Sequence, residues 1–184
     1  MESKDEKLLI IDILDGQTDK FGYFINTYSP LIFSLVMQIV SKKEDAEELT
    51  EDTFIKAFGT LNKFQSNSKF STWIYRIAYN KAISFTRKTK KIIFDEKQID
   101  TVSISEADDL LFSSNDESKN AERIKELQQC ISRLNDEEKV LIHLFYYQQY
   151  DIKEIAKIID VSVSNIKIRL FRVRKKLYLM MKNK

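Results

Sequence analysis

The scarcity of chain-breaking residues is the feature that most constrains this sequence. It has three glycines and one proline among 184 residues. Tight hairpin turns and phosphate-binding loops depend on glycine, so many-stranded sandwiches and glycine-rich nucleotide sites are disfavoured and long helices are favoured. The length suits one or two small domains. We therefore expect an all-α fold made of two small helical domains.

Two residue counts limit the chemistry that the chain can perform. A single cysteine, Cys130, excludes an internal disulfide framework, and a single histidine, His143, argues against histidine-based metal centres and catalytic triads. We therefore predict a protein that is not an enzyme, with no catalytic residues, no metal site and no cofactor.

One uncharged stretch, residues 21–41, is a candidate for a membrane segment. Its apolar part covers only ten residues, 31–40, whereas a membrane span needs about 20. Ser29 and Pro30 are typical of a helix start, with serine as N-cap and proline at the first helical position. The N-terminus also lacks the regions of a signal peptide. We expect a buried helix, no membrane insertion by the chain itself, and a cytoplasmic protein.

Helical and linker segments can be separated along the chain. Between Phe94 and Ser118, eight acidic residues stand against one lysine, a net charge of −7 over 25 residues. Such a segment with weak periodicity is typical of a linker. We therefore expect domains at 1–92 and 119–184 joined by an acidic linker at 93–118. In the first domain the predicted helical stretches are 5–15, 17–41, 44–61 and 70–89.

Residues 150–177 have the pattern of a helix-turn-helix. Asp151 and Glu154 form a capping box for the first helix, and Ser162 caps the second after a three-residue turn. Residues 161–184 carry eight bases and no acid, which suits a helix in the major groove or a basic helix packed on another surface. The predicted buried face of the second helix comprises Val163, Ile166, Leu170, Val173 and Leu177.

The stretch 70–89 carries a mixed aromatic and basic stripe. Trp73, Arg76, Asn80 and Arg87 recur at helical spacing beside the core face. Stacking platforms combined with cations are what single-stranded nucleic acid requires. The polar loop at 64–69, which precedes the stripe, offers groups that could hold a flipped base by its edges. Core packing is the alternative interpretation of the tryptophan.

The stretch 44–58 has an acidic outward face on which Ile55 stands among carboxylates. An exposed isoleucine in this setting suits an interface with a basic protein. Metal-dependent hydrolysis is the alternative, but it would need ligands that the sequence does not supply elsewhere. The opposite, buried stripe is predicted to contain Ala46, Thr50, Phe54, Ala57, Phe58 and Leu61.

These segments together resemble bacterial RNA polymerase sigma factors of the extracytoplasmic-function type, group 4 of the sigma-70 family. Sigma regions 2.1–2.2 are matched by DAEELTEDTFIKAFGTLNKF, and regions 2.3–2.4 by FSTWIYRIAYNKAISFTRK. Region 4.2 is matched by EIAKIIDVSVSNIKIRLFRVRKKL. The resemblance covers nearly the whole chain except the linker. It implies a region 2 helical bundle, a region 4 helix-turn-helix and a role in promoter-specific transcription initiation.

The resemblance also implies partners and site residues. The partners are core RNA polymerase, through its β′ clamp coiled coil and β flap, promoter DNA and an inhibitory anti-sigma factor. The residues implied for core binding are Asp45, Glu48, Glu51, Asp52 and Ile55. Those implied for opening and reading the −10 element are Phe64, Gln65, Ser66, Asn67, Ser68, Lys69, Trp73, Arg76, Asn80 and Arg87. Those implied for the −35 element are Ser164, Asn165, Lys167, Ile168, Phe171, Arg172 and Lys175.

The chain departs from the family pattern at several positions. Asp160 stands where the turn usually has glycine, which requires an altered helix C-cap. Asn165 and Ile168 replace a usual threonine and serine, which bears on the −35 preference. Two rival functions remain at this stage. An ordinary helix-turn-helix regulator would explain only residues 150–177, and a small nuclease would need a catalytic constellation that the sequence lacks.

Overall fold

The computed structural model describes residues 3–89 and 117–182, and all regular structure within these ranges is helical. The predicted all-α class is therefore confirmed. Most of the predicted linker, residues 93–116, lies outside the described residues. The first described range contains α1 (Ser3–Leu14), α2 (Gly22–Val36), α3 (Lys43–Gly59) and α4 (Phe70–Thr89). The second contains α5 (Glu117–Ser132), α6 (Asp136–Ile142), α7 (Ile152–Ile159) and α8 (Val163–Lys182).

Helices α2, α3 and α4 pack around an aromatic and aliphatic core. Phe24, Ile32 and Ile74 are fully buried, and the rings of Phe24 and Phe70 approach to 4.1 Å between centroids. The apolar residues of each helix recur every three or four positions, so one face of each helix turns toward the others. This packing places the outward face of α3 and one side of α4 at the surface.

The prediction that a helix begins at Ser29 and Pro30 is wrong. Pro30 lies inside α2, which ends at Val36 rather than at residue 41. An interior proline removes one backbone hydrogen bond and costs about 3 kcal/mol. Burial of the residues on either side, from Phe24 to Val36, outweighs that cost because tertiary packing supplies most of a helix's stability.

The second described range builds a helix-turn-helix whose termini follow the sequence closely. Both halves of the Asp151–Glu154 capping box form at the start of α7, and Ser162 Oγ accepts a hydrogen bond from the backbone N–H of Asn165. Asp160 ends α7 in the left-handed conformation, with φ 65°. The capping predictions and the altered C-cap are thus confirmed. Val163, by contrast, is 38% exposed and does not belong to the buried face.

The two described ranges also pack against each other, α4 on α7. Buried residues from both ranges form one contiguous hydrophobic cluster, in which Ile74 and Ile155 are fully buried. Tyr75 of α4 meets Tyr150, which immediately precedes the cap of α7, with ring centroids 5.1 Å apart. Within the described part of the chain, no helix is both long enough and apolar enough to cross a membrane.

Candidate polymerase and nucleic-acid interfaces

The outward face of α3 carries the predicted acidic surface. Glu48, Glu51 and Asp52 are exposed and Asp45 is half-buried. Ile55 is 70% exposed, the highest exposure among the large hydrophobic residues at the surface of the described chain. The Asp52 carboxylate accepts a hydrogen bond of 2.7 Å from Lys81 Nζ of α4, which fixes one edge of this surface. The structure therefore brings the five predicted core-binding residues onto one helix surface.

Phe58 belongs to this exposed side of α3, although the sequence pattern assigned it to the buried stripe. It is 44% exposed, and its ring packs edge-on against Phe21 at 5.0 Å. The core side of this end of α3 is occupied by the buried residues Ala57 and Leu61, and Phe58 lies beside them at the rim of the core. Phe58 lies three residues beyond Ile55, so the two side chains extend the apolar part of this side by one helical turn.

The loop at 64–69 and the start of α4 form an aromatic platform. Phe64 is half-buried and its ring lies 5.2 Å from the Trp73 indole. The indole also packs 5.5 Å from Phe70, so Trp73 contributes to the core and keeps part of its surface accessible. Ser66 adopts a left-handed backbone, which turns the loop. The polar residues of the loop are mainly exposed, with Ser68 half-buried.

Beyond the platform, Arg76, Asn80 and Arg87 are exposed along α4, as their spacing predicts. Arg76 Nη2 lies 2.9 Å from Asp160 Oδ1 of the helix-turn-helix. Lys69 Nζ lies 2.9 Å from Glu154 Oε1, and this hydrogen bond raises the pKa of the lysine. Because the family resemblance predicts that the loop 64–69 and the α4 stripe read the −10 element, we name them together the −10 surface.

The outward face of α8 places most of the predicted −35 residues toward solvent. Ser164, Lys167, Arg172 and Lys175 are exposed, and Ile168 and Phe171 are half-buried beside them. Asn165 differs, because its Oδ1 is buried and accepts no hydrogen bond from the described residues. Its side chain is therefore less available to a base edge than the neighbouring cations.

Three further cations of α8 contact residues of their own domain. The sequence pattern does not predict these contacts. Lys176 Nζ binds Glu138 at 2.7 Å and Arg169 Nη1 binds Glu137 at 3.1 Å. Arg174 donates to the Tyr146 hydroxyl at 2.8 Å. The basic residues of α8 therefore have two roles. Some attach the helix to α6 and to the π-helical turn that follows it, His143–Tyr147, and others form an outward cationic face.

The described residues contain no group of three or more potential metal ligands.

Both halves of the chain match family models. The model for sigma-70 region 2 matches residues 24–92, and that for sigma-70 region 4 matches residues 124–177.

Curated relatives match across nearly their whole length. The chain is 29% identical over 175 residues to the extracytoplasmic-function RNA polymerase sigma factor SigW of Bacillus subtilis, covering 93% of this chain and 94% of the relative. It is 28% identical over 179 residues to the sigma-E factor of Escherichia coli K12, covering 94% and 92%.

Solved structures share the fold. CnrH in complex with the cytosolic domain of CnrY aligns with a TM-score of 0.66 at 18% identity, covering 96% of each chain. The sigma factor RpoE of Bartonella quintana, solved with the anti-sigma factor NepR, aligns with a TM-score of 0.62 at 20% identity, covering 88% of this chain and 96% of RpoE. With two family models matched in their expected order, the chain belongs to the extracytoplasmic-function type of the sigma-70 family of RNA polymerase sigma factors.

Proposed function

We propose that this chain is a promoter-specificity subunit, which binds core RNA polymerase through α3 and directs initiation at promoters with matching −10 and −35 elements. Residues 1–92 would carry core binding and the −10 surface, and residues 119–184 the −35 face. The acidic segment 93–118 would connect them. The order of the two matched sigma regions along the chain supports this division.

The observation that carries the proposal is Ile55, which is 70% exposed on a helix face of carboxylates. Burying an isoleucine side chain contributes about 1.5–3 kcal/mol, so a partner that covers it gains affinity. The surrounding acids would align a basic surface and speed association. The coiled coil of the polymerase β′ clamp is the partner that we assign to this face.

The −10 surface has the chemistry to hold a melted strand. The Trp73 indole offers a stacking platform, and Arg76 and Arg87 offer phosphate contacts. The exposed amide of Asn80 has both a donor and an acceptor for the edge of an unpaired base. These groups would stabilise an unpaired −10 strand, which a regulator that binds duplex DNA alone has no need to do.

The helix-turn-helix would read the −35 element in the major groove. Lys167 and Arg172 stand at the exposed centre of the α8 face, with Phe171 beside them. Arginine and lysine recognise guanine edges, and an aromatic side chain contacts the thymine methyl group. We assign the β flap as the polymerase contact of this same domain.

The proposal fits a protein that does not catalyse a reaction itself. The polymerase active site performs the chemistry, and the sigma subunit selects where it begins. Because core polymerase and promoter DNA lie in the cytoplasm, we infer that the chain acts there. We also infer an inhibitory anti-sigma partner, which the solved complex of RpoE with NepR supports by analogy.

Charge reversal on α3 tests the proposal. Glu48→Lys would place a cation against the basic partner surface, and like charges across an interface cost several kcal/mol. We expect a loss of core affinity of about 100-fold or more, measured by titrating labelled chain with core polymerase. Asp15→Lys, at an exposed position after α1, is the matched control and should bind normally. Equal affinities of the two folded variants for core polymerase would contradict the assignment of α3 as the core-binding helix.

A further inference from the structure

Three large apolar side chains stand exposed together on the first helix, α1. Leu8, Ile11 and Leu14 are each more than half exposed. They recur at every third residue, so they lie beside one another on one face of the helix. Single exposed apolar residues are ordinary at a protein surface, whereas several that share one face indicate an interaction surface.

The opposite side of α1 attaches the helix to the helical bundle. Ile10 and Ile13 are buried in the core, and the Tyr28 hydroxyl of α2 donates a hydrogen bond of 2.6 Å to the Glu6 carboxylate. The exposed face is therefore carried by a helix that is already held in place. A partner that binds there loses little affinity to the ordering of the helix.

The exposed face is symmetric about Ile11. Leu8 and Leu14 stand three residues before and after it, and Lys7 and Asp15 stand four residues before and after it. All five residues are exposed, and Asp15 continues the helical pattern because its N–H donates to the Ile11 carbonyl at 2.9 Å. With 3.6 residues per turn, the five fall within an arc of about 120°. We name these five residues the α1 surface.

We propose that the α1 surface is a contact between two copies of this chain, arranged antiparallel about a two-fold axis at Ile11. Leu8 of each copy then lies level with Leu14 of the other copy. Lys7 of each copy lies level with Asp15 of the other, so unlike charges flank both ends of the apolar centre. A parallel pair would instead place like charges side by side.

The symmetry of the α1 surface favours a second copy over an unrelated partner. A two-fold interface uses the same patch on both copies, so the patch must complement itself. Apolar residues at equal distances from Ile11, with a cation at one end and an anion at the other, satisfy that requirement. A partner of different sequence would require neither the symmetry nor the opposite charges.

The α1 surface is small, so the pairing should be weak and reversible. Lys7 and Asp15 are about 12 Å apart along the helix axis, whereas a stable interface buries about 800 Å² on each partner. We expect a dissociation constant on the order of 100 μM for such a contact. None of the five residues belongs to the surfaces proposed for polymerase or DNA, so the pairing goes beyond the proposed function.

The substitution Ile11→Lys tests the pairing because it places two lysines against each other at the two-fold axis. Its matched control is Ile124→Lys on α5, at an isoleucine of similar exposure. Sedimentation equilibrium of the full chain, from about 10 to about 500 μM, measures the association. We expect the unsubstituted chain and the control to associate alike, and Ile11→Lys to associate at least tenfold more weakly. A monomeric unsubstituted chain, or equal association of the two folded variants, would overturn the proposal.

Exchange of the terminal charges tests the antiparallel arrangement. Lys7→Asp and Asp15→Lys each place like charges level with one another, and at low salt each should weaken association about threefold or more. The double substitution restores unlike charges and should return the dissociation constant to within about twofold of that of the unsubstituted chain. A double variant that associates no more tightly than the single variants would overturn this arrangement.

Cross-linking tests the position of the two-fold axis. Packed helices lie about 8–10 Å apart and each Cα lies about 2.3 Å from its helix axis, so the two copies of residue 11 fall within disulfide range. With Cys130 replaced by alanine, Ile11→Cys should form a dimeric disulfide with copper–phenanthroline at least tenfold faster than Ile124→Cys. Equal rates would overturn the placement at Ile11. These measurements contain neither polymerase nor DNA, so their outcome does not depend on the proposed function.

Discussion

His143, the single histidine of the chain, lies buried in the π-helical turn His143–Tyr147. Its Nε2 lies 3.4 Å from the side-chain nitrogen of Gln148. The side-chain oxygen of Gln148 accepts a hydrogen bond from the Tyr75 hydroxyl. Burial lowers the pKa of the imidazole below its usual 6.5. The neutral ring is therefore the form that the folded protein favours.

This burial predicts a pH dependence of stability. Below pH 6.5 the unfolded chain binds a proton that the folded chain resists, so the free energy of unfolding falls as the pH decreases through that value. The slope is at most about 1.4 kcal/mol per pH unit, and above pH 7 this contribution is constant. Urea denaturation between about pH 5.5 and about pH 7.5 measures it. The substitution His143→Gln should reduce the dependence of the free energy of unfolding on pH. Equal slopes in the substituted and unsubstituted proteins would contradict the assignment of this dependence to His143.

Among the elements, α8 carries cations that contact α6 and cations that are exposed on its outward face. Arg172 and Lys175 are exposed, whereas Lys176 is held by Glu138 at 2.7 Å. A test of DNA contacts should therefore compare Arg172 with Lys175, because a change at Lys176 would also remove its ion pair with Glu138 of α6. Arg172 lies nearer the start of the recognition helix, where side chains reach base edges.

We predict different effects of the two substitutions on duplex binding. Arg172→Ala should cost about 1–3 kcal/mol on the preferred −35 duplex and reduce discrimination at one base position. Lys175→Ala should weaken all duplexes about equally and reduce the salt slope by about one. Titration of the full chain with −35 duplexes varied at each position, at several salt concentrations, measures both. A uniform loss of affinity in Arg172→Ala would mean that the residue contacts phosphate.

Sequence patterns predicted the elements best where several local signals agreed. The capping box at Asp151 and Glu154 and the cap at Ser162 defined the helix-turn-helix because both signals are local in the chain. The errors at Pro30, Phe58 and Val163 have a common physical origin. Each depends on how the rest of the chain packs around the helix, which a periodic pattern does not specify. Burial of residues on either side keeps Pro30 inside α2, whereas Phe58 and Val163 stay exposed.

At the scale of the whole molecule, the packing of the two halves against each other could not be predicted from the sequence. Tyr75 looks like an ordinary member of an amphipathic helix, and Tyr150 like a residue before a cap. Their contact joins distant segments, and Arg76 and Asp160 form an ion pair between the same two segments. The sequence did predict each surface separately, since the residues of the α3 face, the −10 surface and the α8 face lie close along the chain.

Run-off transcription tests the central claim most directly. Core RNA polymerase from the organism that encodes this chain would transcribe a library of its genomic promoter fragments with and without the chain, and the 5′ ends would be sequenced. The account predicts start sites that appear only with the chain and share a −10 and a −35 element at fixed spacing. Identical start sites with and without the folded chain would contradict it.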